Sequence, residues 1–223
     1  MTNKITDIQI IQIIDTFKIS GDGIYLKKFH IQRTLEAFKE LGAVVNEFSV
    51  RALYQQIEDK NLHLKKEMKA KITFDSVDLR NSVCEFSDID LLPVPLTLEI
   101  SKNLFQLSGR GLQNYKISKR DYWNQLLTNA HCFDVIGVNQ DSGITETSRF
   151  NLFLLKDGIF FTPTLNSGCI NGAFRRYLLS QGSFELAGSQ IPITEKDIAA
   201  SDIKKYEIYV GNSLRGMHKA VLI

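Results

Sequence analysis

Residues 143–177, GITETSRFNLFLLKDGIFFTPTLNSGCINGAFRRY, carry the clearest structural signal in the chain. An apolar run through Phe150 and residues 152–155 predicts a buried strand. The Lys-Asp-Gly sequence at 156–158 predicts a turn, and residues 159–161 supply a second apolar run. This half of the segment therefore predicts a β-hairpin.

The second half of the segment predicts an anion-binding helix start. Asn171 and Gly172 precede AFRRYLL, which is typical of a helix. The first amides of a helix lack intrahelical partners, so they can bind an anion. Glu146 adds an acid ahead of the hairpin. A carboxylate and an anion site in one segment suit a phosphorylated cofactor.

The segment resembles the class IV aminotransferase family, the pyridoxal-phosphate enzymes of fold type IV. The resemblance rests on these pieces in this order: Glu146, Asn151-Leu152-Phe153, Thr162-Pro163 and Gly172-Ala173-Phe174-Arg175. It implies pyridoxal 5'-phosphate as cofactor. It also implies an α+β fold like that of D-amino-acid aminotransferase, with a small N-terminal α/β sandwich and a C-terminal pseudo-barrel.

Composition narrows the class of protein. The chain has 223 residues, 43% of them hydrophobic, and a net charge of +2. This balance favours neither nucleic acid nor a membrane as a partner, and no apolar run approaches the ~20 residues of a spanning helix. The N-terminus lacks a signal-peptide pattern, so we expect a cytoplasmic protein. The three cysteines are scattered without CxxC spacing, and we predict no disulfide framework and no metal site.

The N-terminal part predicts helices packed on an antiparallel sheet. The lysine-rich run at 64–71 predicts a solvated helix end and strand start. Residues 96–100 predict the strand that completes a first domain, 1–104. The expected elements before it are strands at 7–19, 24–29, 71–74 and 83–86, and helices at 30–42 and 48–64.

Arg33 lies off the apolar stripe of the first predicted helix, which is typical of a solvated charge. The segment His30-Ile31-Gln32-Arg33, however, is similar to the family's His-x-x-Arg helix, in which the Arg contacts the cofactor phosphate. A guanidinium stays charged and can donate to two phosphate oxygens at once.

Residues 105–115 are polar and glycine-rich, and predict an interdomain loop before a C-terminal domain at 116–223. Arg110 in this loop has two interpretations: a surface arginine, or a contact to a substrate carboxylate.

YKISKRDYW at 115–123 is similar to the family's Lys-Thr-Thr-Asn-Arg-x-x-Tyr, whose Lys bonds covalently to the cofactor. Lys116 aligns with that residue, and Arg120 follows four positions later. Lys119 is the rival, and a plain surface lysine is the alternative for either. The resemblance makes Lys116 and Glu146 catalytic, with Glu146 keeping the cofactor ring nitrogen protonated. The chemistry suits a desolvated lysine, whose pKa falls readily.

The resemblance also implies the other ligands of the site. Phe174 stands where the family has Thr, so one hydroxyl contact to the phosphate is lost and backbone amides carry more of it. Thr194 and Asp197 predict a capping box before a helix at 198–204. The predicted cofactor-binding residues are Arg33, Lys116, Glu146, Asn151, Gly172, Ala173, Phe174 and Ser213, and the predicted substrate-binding residues are Arg110, Asn212 and Leu214.

Three functions stay open. His-Ile-Gln-Arg, Asn-Leu-Phe, Asn-Gly and the Asn-Ser-Leu turn resemble the lyase branch, which eliminates pyruvate from 4-amino-4-deoxychorismate to give 4-aminobenzoate for folate synthesis. The alternative is an amino-acid aminotransferase, for branched-chain or D-amino acids, and the third is an inactive homologue. Family members usually begin with a longer front segment, which leaves the substrate wall open. The family also implies a homodimer and a small amino substrate.

Overall fold

The computed structural model describes residues 12–75, 77–107, 114–128 and 130–223. Within these ranges, no helix is both long enough and apolar enough to cross a membrane. Arg110 and most of the predicted interdomain loop lie outside the described residues, as does the first part of the strand predicted at 7–19.

The N-terminal part forms a four-stranded antiparallel sheet in the order β2-β1-β3-β4, covered by two helices. Alternate side chains of β1 point into this core, because successive residues of a strand face opposite sides. The elements are β1 (Ile14–Ser20), β2 (Gly23–Ile24), α1 (Lys27–Glu40), α2 (Glu47–Lys60), β3 (Met68–Thr73), a 3-10 helix (Leu79–Asn81) and β4 (Val83–Ser87).

The C-terminal part is built on a nine-stranded mixed sheet in the order β10-β11-β9-β8-β12-β13-β5-β6-β7. Ile144 donates its backbone N–H to the carbonyl of Ile198, which joins β7 at one end of this order to the segment after β11 near the other. The sheet therefore curls on itself. Its elements are β5 (Leu96–Phe105), α3 (Asp121–Thr128), β6 (Asp134–Asn139), β7 (Ile144–Thr147), β8 (Asn151–Lys156), β9 (Ile159–Thr162), a 3-10 helix (Leu165–Ser167), α4 (Ala173–Gln181), β10 (Ser183–Leu186), β11 (Ser189–Glu195), a second 3-10 helix (Ala200–Lys205), β12 (Glu207–Asn212) and β13 (Gly216–Leu222).

The predicted hairpin is confirmed. Strands β8 and β9 pair antiparallel through Leu154 with Phe161 and Lys156 with Ile159. Asp157 and Gly158 have φ angles of 50° and 74°, both in the left-handed region that a tight two-residue hairpin turn requires. The α+β class is confirmed as well.

The strand predicted at 24–29 is wrong. Strand β2 has two residues, and α1 begins at Lys27. Leu26, at φ 56°, turns the chain, and its carbonyl accepts the N–H groups of Phe29 and His30. The prediction failed because this helix begins from a left-handed residue without a polar cap, so the usual start signal is missing.

The assignment of residues 96–100 to the first sheet is also wrong. Strand β5 runs parallel to β13 and β6 in the large sheet. Its apolar pattern identified a strand, but pairing partners depend on long-range packing that a local pattern does not contain.

The helix predicted at 198–204 is a 3-10 helix at Ala200–Lys205, and no side chain caps it. Thr194 instead belongs to β11, where it pairs with Phe161. The pattern was compatible with a cap, but pairing with β9 holds this residue in a strand.

Candidate active site

A cavity of about 370 Å³ lies between the two sheets, within the range of roughly 300–1,000 Å³ typical of small-molecule sites. The small sheet contributes Ile14 and Thr16 to its wall. All predicted site residues within the described ranges line it: Arg33, Lys116, Glu146, Asn151, Gly172, Ala173, Phe174, Asn212, Ser213 and Leu214.

Lys116 is fixed by its backbone. Its carbonyl accepts the N–H of Ile14 at 3.0 Å, and Ser118 donates to the carbonyl of Gln12 at 2.8 Å. Burial and, after it, the charge of Arg33 lower the pKa of the Lys116 ammonium to about 7. A large share of this amine is therefore neutral near pH 7. Lys119 is exposed and does not line the cavity.

Glu146 lies on β7 with only 6% of its surface exposed. Its Oε2 accepts a hydrogen bond from Asn151 Nδ2 at 3.2 Å. Burial raises the pKa of this carboxyl to about 8. Among the described residues, no Lys or Arg forms an ion pair with it. The acid therefore faces the cavity short of a cationic partner.

Asn151 joins this acid to the start of α4. Its Nδ2 also donates to the carbonyl of Ile170 at 2.8 Å. A Cβ on Gly172 would lie 2.2 Å from Asn151 Oδ1, so a side chain there would push Asn151 away. Glycine at 172 keeps the acid and the helix start in contact.

The start of α4 offers free backbone donors. Gly172 is its N-cap and provides no side-chain hydrogen bond. The amides of Ala173 and Phe174 fall in the first turn, where no intrahelical acceptor exists. The Phe174 ring packs edge-on against Phe153, with centroids 6.2 Å apart. Ser213 also lines the cavity, and a helix start of this kind could hold an anion.

Arg33 is 6% exposed, so the solvated-charge interpretation is wrong. It forms an ion pair with Asp15, a fully buried carboxylate on β1. Asp15 also accepts from His30 Nδ1 at 2.9 Å and from the hydroxyl of Tyr54. Burial acts to raise the pKa of Asp15, but the charge of Arg33 and the contact with His30 hold it well below its usual range.

Sequence reasoning missed several cations of the wall. Lys69 and Lys71 alternate on β3 with buried Ala70 and Ile72, so they lie on the face that lines the cavity. Lys71 still has 42% of its side chain exposed and pairs with Glu85 at 3.5 Å, as expected of a solvated run. The period-two pattern around them was the available signal. The remaining cations are Arg120, whose Nη2 donates to the Ser148 carbonyl at 2.5 Å, Arg149 and Arg215.

The arrangement is specific in its chemistry. An amine of lowered pKa, an acid of raised pKa and an anion-binding helix start share one cavity. They suit a planar ligand that has a carbonyl carbon for the amine, a protonated nitrogen for the acid and an anionic group for the helix.

Comparisons with known proteins agree with this chemistry. The family model "Amino-transferase class IV" matches residues 12–223. A Schizosaccharomyces pombe protein provisionally assigned as an aminodeoxychorismate lyase is 32% identical over 92 residues, 40% of this chain and 37% of that protein. A Thermotoga maritima protein provisionally assigned as a branched-chain-amino-acid aminotransferase is 36% identical over 66 residues, 29% of this chain and 22% of that protein.

The matched segments thus span well under half the length of these two relatives. Among solved structures, a Mesorhizobium loti protein provisionally assigned as an amino-acid aminotransferase superposes with a TM-score of 0.80 at 21% identity. The match covers 96% of this chain and 100% of that one, and it shows a shared fold.

Proposed function

Because the chain belongs to the class IV aminotransferase family, whose members use pyridoxal phosphate, we propose that it is a lyase that eliminates pyruvate from 4-amino-4-deoxychorismate to give 4-aminobenzoate. The observation that carries the proposal is the cavity that Lys116 and Glu146 line together with the start of α4.

The residues present fit pyridoxal phosphate. Glu146 is a buried acid that lacks a cation, and a protonated ring nitrogen would supply one. Lys116 would hold the aldehyde carbon. The amides of Ala173 and Phe174, with Arg33, would hold the phosphate. When bound, the cofactor withdraws electrons from the bonds at the carbon that carries the substrate amino group.

Lys116 serves as the proton carrier in this proposal. As a free amine it would remove the proton from the substrate carbon that carries the amino group. The bond from the neighbouring ring carbon to the enol ether oxygen would break, which makes the ring aromatic, and the Lys116 ammonium would then give its proton to the methylene carbon of the released pyruvate enol. A pKa of about 7 suits both directions, because the free amine and the ammonium are both well populated at neutral pH.

The charge of the cavity supports an acidic substrate. Among the residues that the structure describes, its wall carries seven Lys and Arg side chains but a single carboxylate, Glu146. The substrate of the proposed reaction carries two carboxylates, whereas a branched-chain amino acid carries one beside an apolar side chain. Resemblance of the Asn-Leu-Phe and Asn-Ser-Leu motifs to the lyase branch points the same way, as does the S. pombe relative.

The test is direct. Purified protein loaded with pyridoxal phosphate is incubated with 4-amino-4-deoxychorismate, and pyruvate and 4-aminobenzoate are quantified. We expect equimolar products, and about 10²–10⁴-fold lower rates of product formation from a K116A variant. Absence of both products from the wild-type protein would refute the lyase assignment.

An amino-acid aminotransferase is the second candidate, favoured by the segment 36% identical to the T. maritima protein. The two activities are separated by incubating the cofactor-loaded protein with a panel of L- and D-amino acids. An aminotransferase converts bound pyridoxal phosphate to pyridoxamine phosphate and releases an oxo acid, whereas the lyase assignment predicts little conversion.

An inactive homologue is the third candidate, and cofactor binding tests it. The active candidates predict a yellow protein whose absorption shifts on borohydride reduction, and a colourless one would favour the inactive homologue.

We also propose a cytoplasmic homodimer, which sedimentation of the purified protein and fractionation of cells would test.

A further inference from the structure

Arg149 and Arg215 come from two neighbouring turns at the cavity. Arg149 lies between β7 and β8, and Arg215 lies between β12 and β13. Strands β8 and β12 pair through Asn151 and Gly211, which places the turns side by side. Asn212 Nδ2 also donates to the carbonyl of Arg149 at 3.1 Å, which ties one turn to the other.

Carboxylates balance these two charges poorly. The nearest partner of Arg215 is Asp90, at 3.9 Å, and the Asp90 side chain is 82% exposed. Arg215 is only 16% exposed, and its buried Nε has no hydrogen-bond partner in the described structure. Arg149 stacks over the Phe133 ring at 5.0 Å and forms no ion pair with a described carboxylate.

Two arginines without a close carboxylate partner favour the binding of an anionic ligand. Burial lowers the pKa of Arg215, and the charge of Arg149 lowers it further. Arg149 is exposed, but its charge acts on Arg215, whose buried Nε has no acceptor in the described structure. A carboxylate bound by both guanidiniums would offset the two positive charges and supply that acceptor, because its two oxygens accept several hydrogen bonds.

The cofactor phosphate does not need this pair. The amides of Ala173 and Phe174, together with Arg33, already supply donors for it. The backbone N–H of Arg215 is occupied by Asn212 Oδ1 at 2.9 Å, so only the side chain of Arg215 is available to a ligand.

We propose that Arg149 and Arg215 form an anion subsite that binds a second carboxylate of the substrate, remote from its amino group. This inference rests on the proposed function and deepens it, because it assigns the residues that bind one of the two carboxylates of the substrate. Both arginines are then specificity-determining residues.

The test uses isophthalate and benzoate, which differ by one carboxylate. Each is titrated into the pyridoxal-phosphate-loaded protein, and Kd is measured by calorimetry. We expect isophthalate to bind at least about tenfold more tightly than benzoate to the wild-type protein. An R149Q/R215Q variant should lose this preference and keep its affinity for benzoate. R149K/R215K should keep part of it, because the charges remain.

The matched control is R51Q/R80Q, which removes two charges from exposed arginines that do not line the cavity. It should keep the wild-type preference. Equal affinities in the wild-type protein, or a preference that survives in R149Q/R215Q, would overturn the proposal. So would weaker binding of pyridoxal phosphate to R149Q/R215Q, since the pair would then serve the phosphate.

The outcome also separates this proposal from the reaction. If no 4-aminobenzoate forms but the isophthalate preference depends on the two arginines, the subsite stands and the lyase assignment fails. If 4-aminobenzoate forms and R149Q/R215Q leaves KM unchanged, the lyase stands and the subsite fails.

Discussion

Two buried carboxylates, Asp15 and Glu146, sit near the same cavity in opposite states. Asp15 is surrounded by Arg33, His30 and Tyr54, and its pKa is held well below the usual range. Glu146 is held mainly by the amide of Asn151, and burial raises its pKa to about 8. Burial is similar, so the difference comes from the partners.

The contrast separates a buried cluster, in which residues of the chain pair the carboxylate, from a site whose carboxylate has no ion-pair partner among the described residues. Buried charges in proteins are normally paired, because desolvation without compensation is costly. Asp15 meets this condition with groups of the chain itself. Glu146 does not, and the cation that it lacks is one that a bound ligand can bring. Perturbed acids of this kind are concentrated at functional sites.

Replacing Lys116 tests the site that contains the unpaired Glu146, and it has the largest expected effect. K116A should lower activity by about 10²–10⁴-fold, because the proton carrier is lost. After loading with pyridoxal phosphate and borohydride reduction, peptide mass mapping should find the adduct on Lys116 in the wild-type protein and none in K116A. K119A is the control, since Lys119 lies outside the cavity. An adduct on Lys119 in the wild-type protein would reverse the assignment.

Replacing Asp15 tests the cluster in which the buried carboxylate is paired. D15N leaves the buried Arg33 without its ion-pair partner, so the free energy of unfolding should fall by about 3–5 kcal/mol in urea titrations. D78N, at an acid paired with exposed Arg80, should cause no measurable change. A stability loss in D15N no larger than in D78N would mean that Asp15 does not hold Arg33.

The E146Q variant tests the raised pKa through its pH dependence. In the cofactor-free protein, the carboxyl titrates near 4.5 when unfolded and near 8 when folded. The folded state holds the extra proton between these values, so stability falls as pH rises, by at most about 1.4 kcal/mol per pH unit. Between pH 5 and 7, E146Q should flatten this fall, measured by urea unfolding. E85Q, at an exposed acid, should keep the wild-type slope.

Removing the Tyr54 hydroxyl tests one hydrogen bond of the cluster around Asp15. Y54F deletes the hydrogen bond to Asp15 and the one shared with Thr34 at 2.9 Å. We expect a loss of about 1.5–3 kcal/mol in unfolding free energy, because the acceptor is charged and buried. Y25F, at a tyrosine 39% exposed, should change stability by less than about 0.5 kcal/mol. A Y54F variant as stable as Y25F would mean that the Tyr54 hydroxyl does not stabilise the cluster around Asp15.

Much of the site could be predicted from sequence because its key residues lie within short motifs. Lys116, Glu146 and Gly172 each stand in a segment that resembles a motif of the family, and the structure brings them to one cavity. Their roles stay predictions until they are tested. The hairpin of β8 and β9 is equally local, since two apolar runs on either side of a Lys-Asp-Gly turn predict it.

What could not be predicted depends on long-range contacts. Asp15 gave no signal, because its partners Arg33 and Tyr54 are 18 and 39 residues away. The pairing of β5 with β13 and β6 is likewise a property of the whole sheet. Arg149 and Arg215 flank predicted site residues, but only the pairing of β8 with β12 shows that they act at one place.

The backbone bonds between β1 and the segment around Lys116 have a mechanical consequence. Ile14 bonds to the carbonyl of Lys116, and Gln12 bonds to the amide of Ser118. Any displacement of the small sheet along this edge would therefore break these two bonds or carry Lys116 with it.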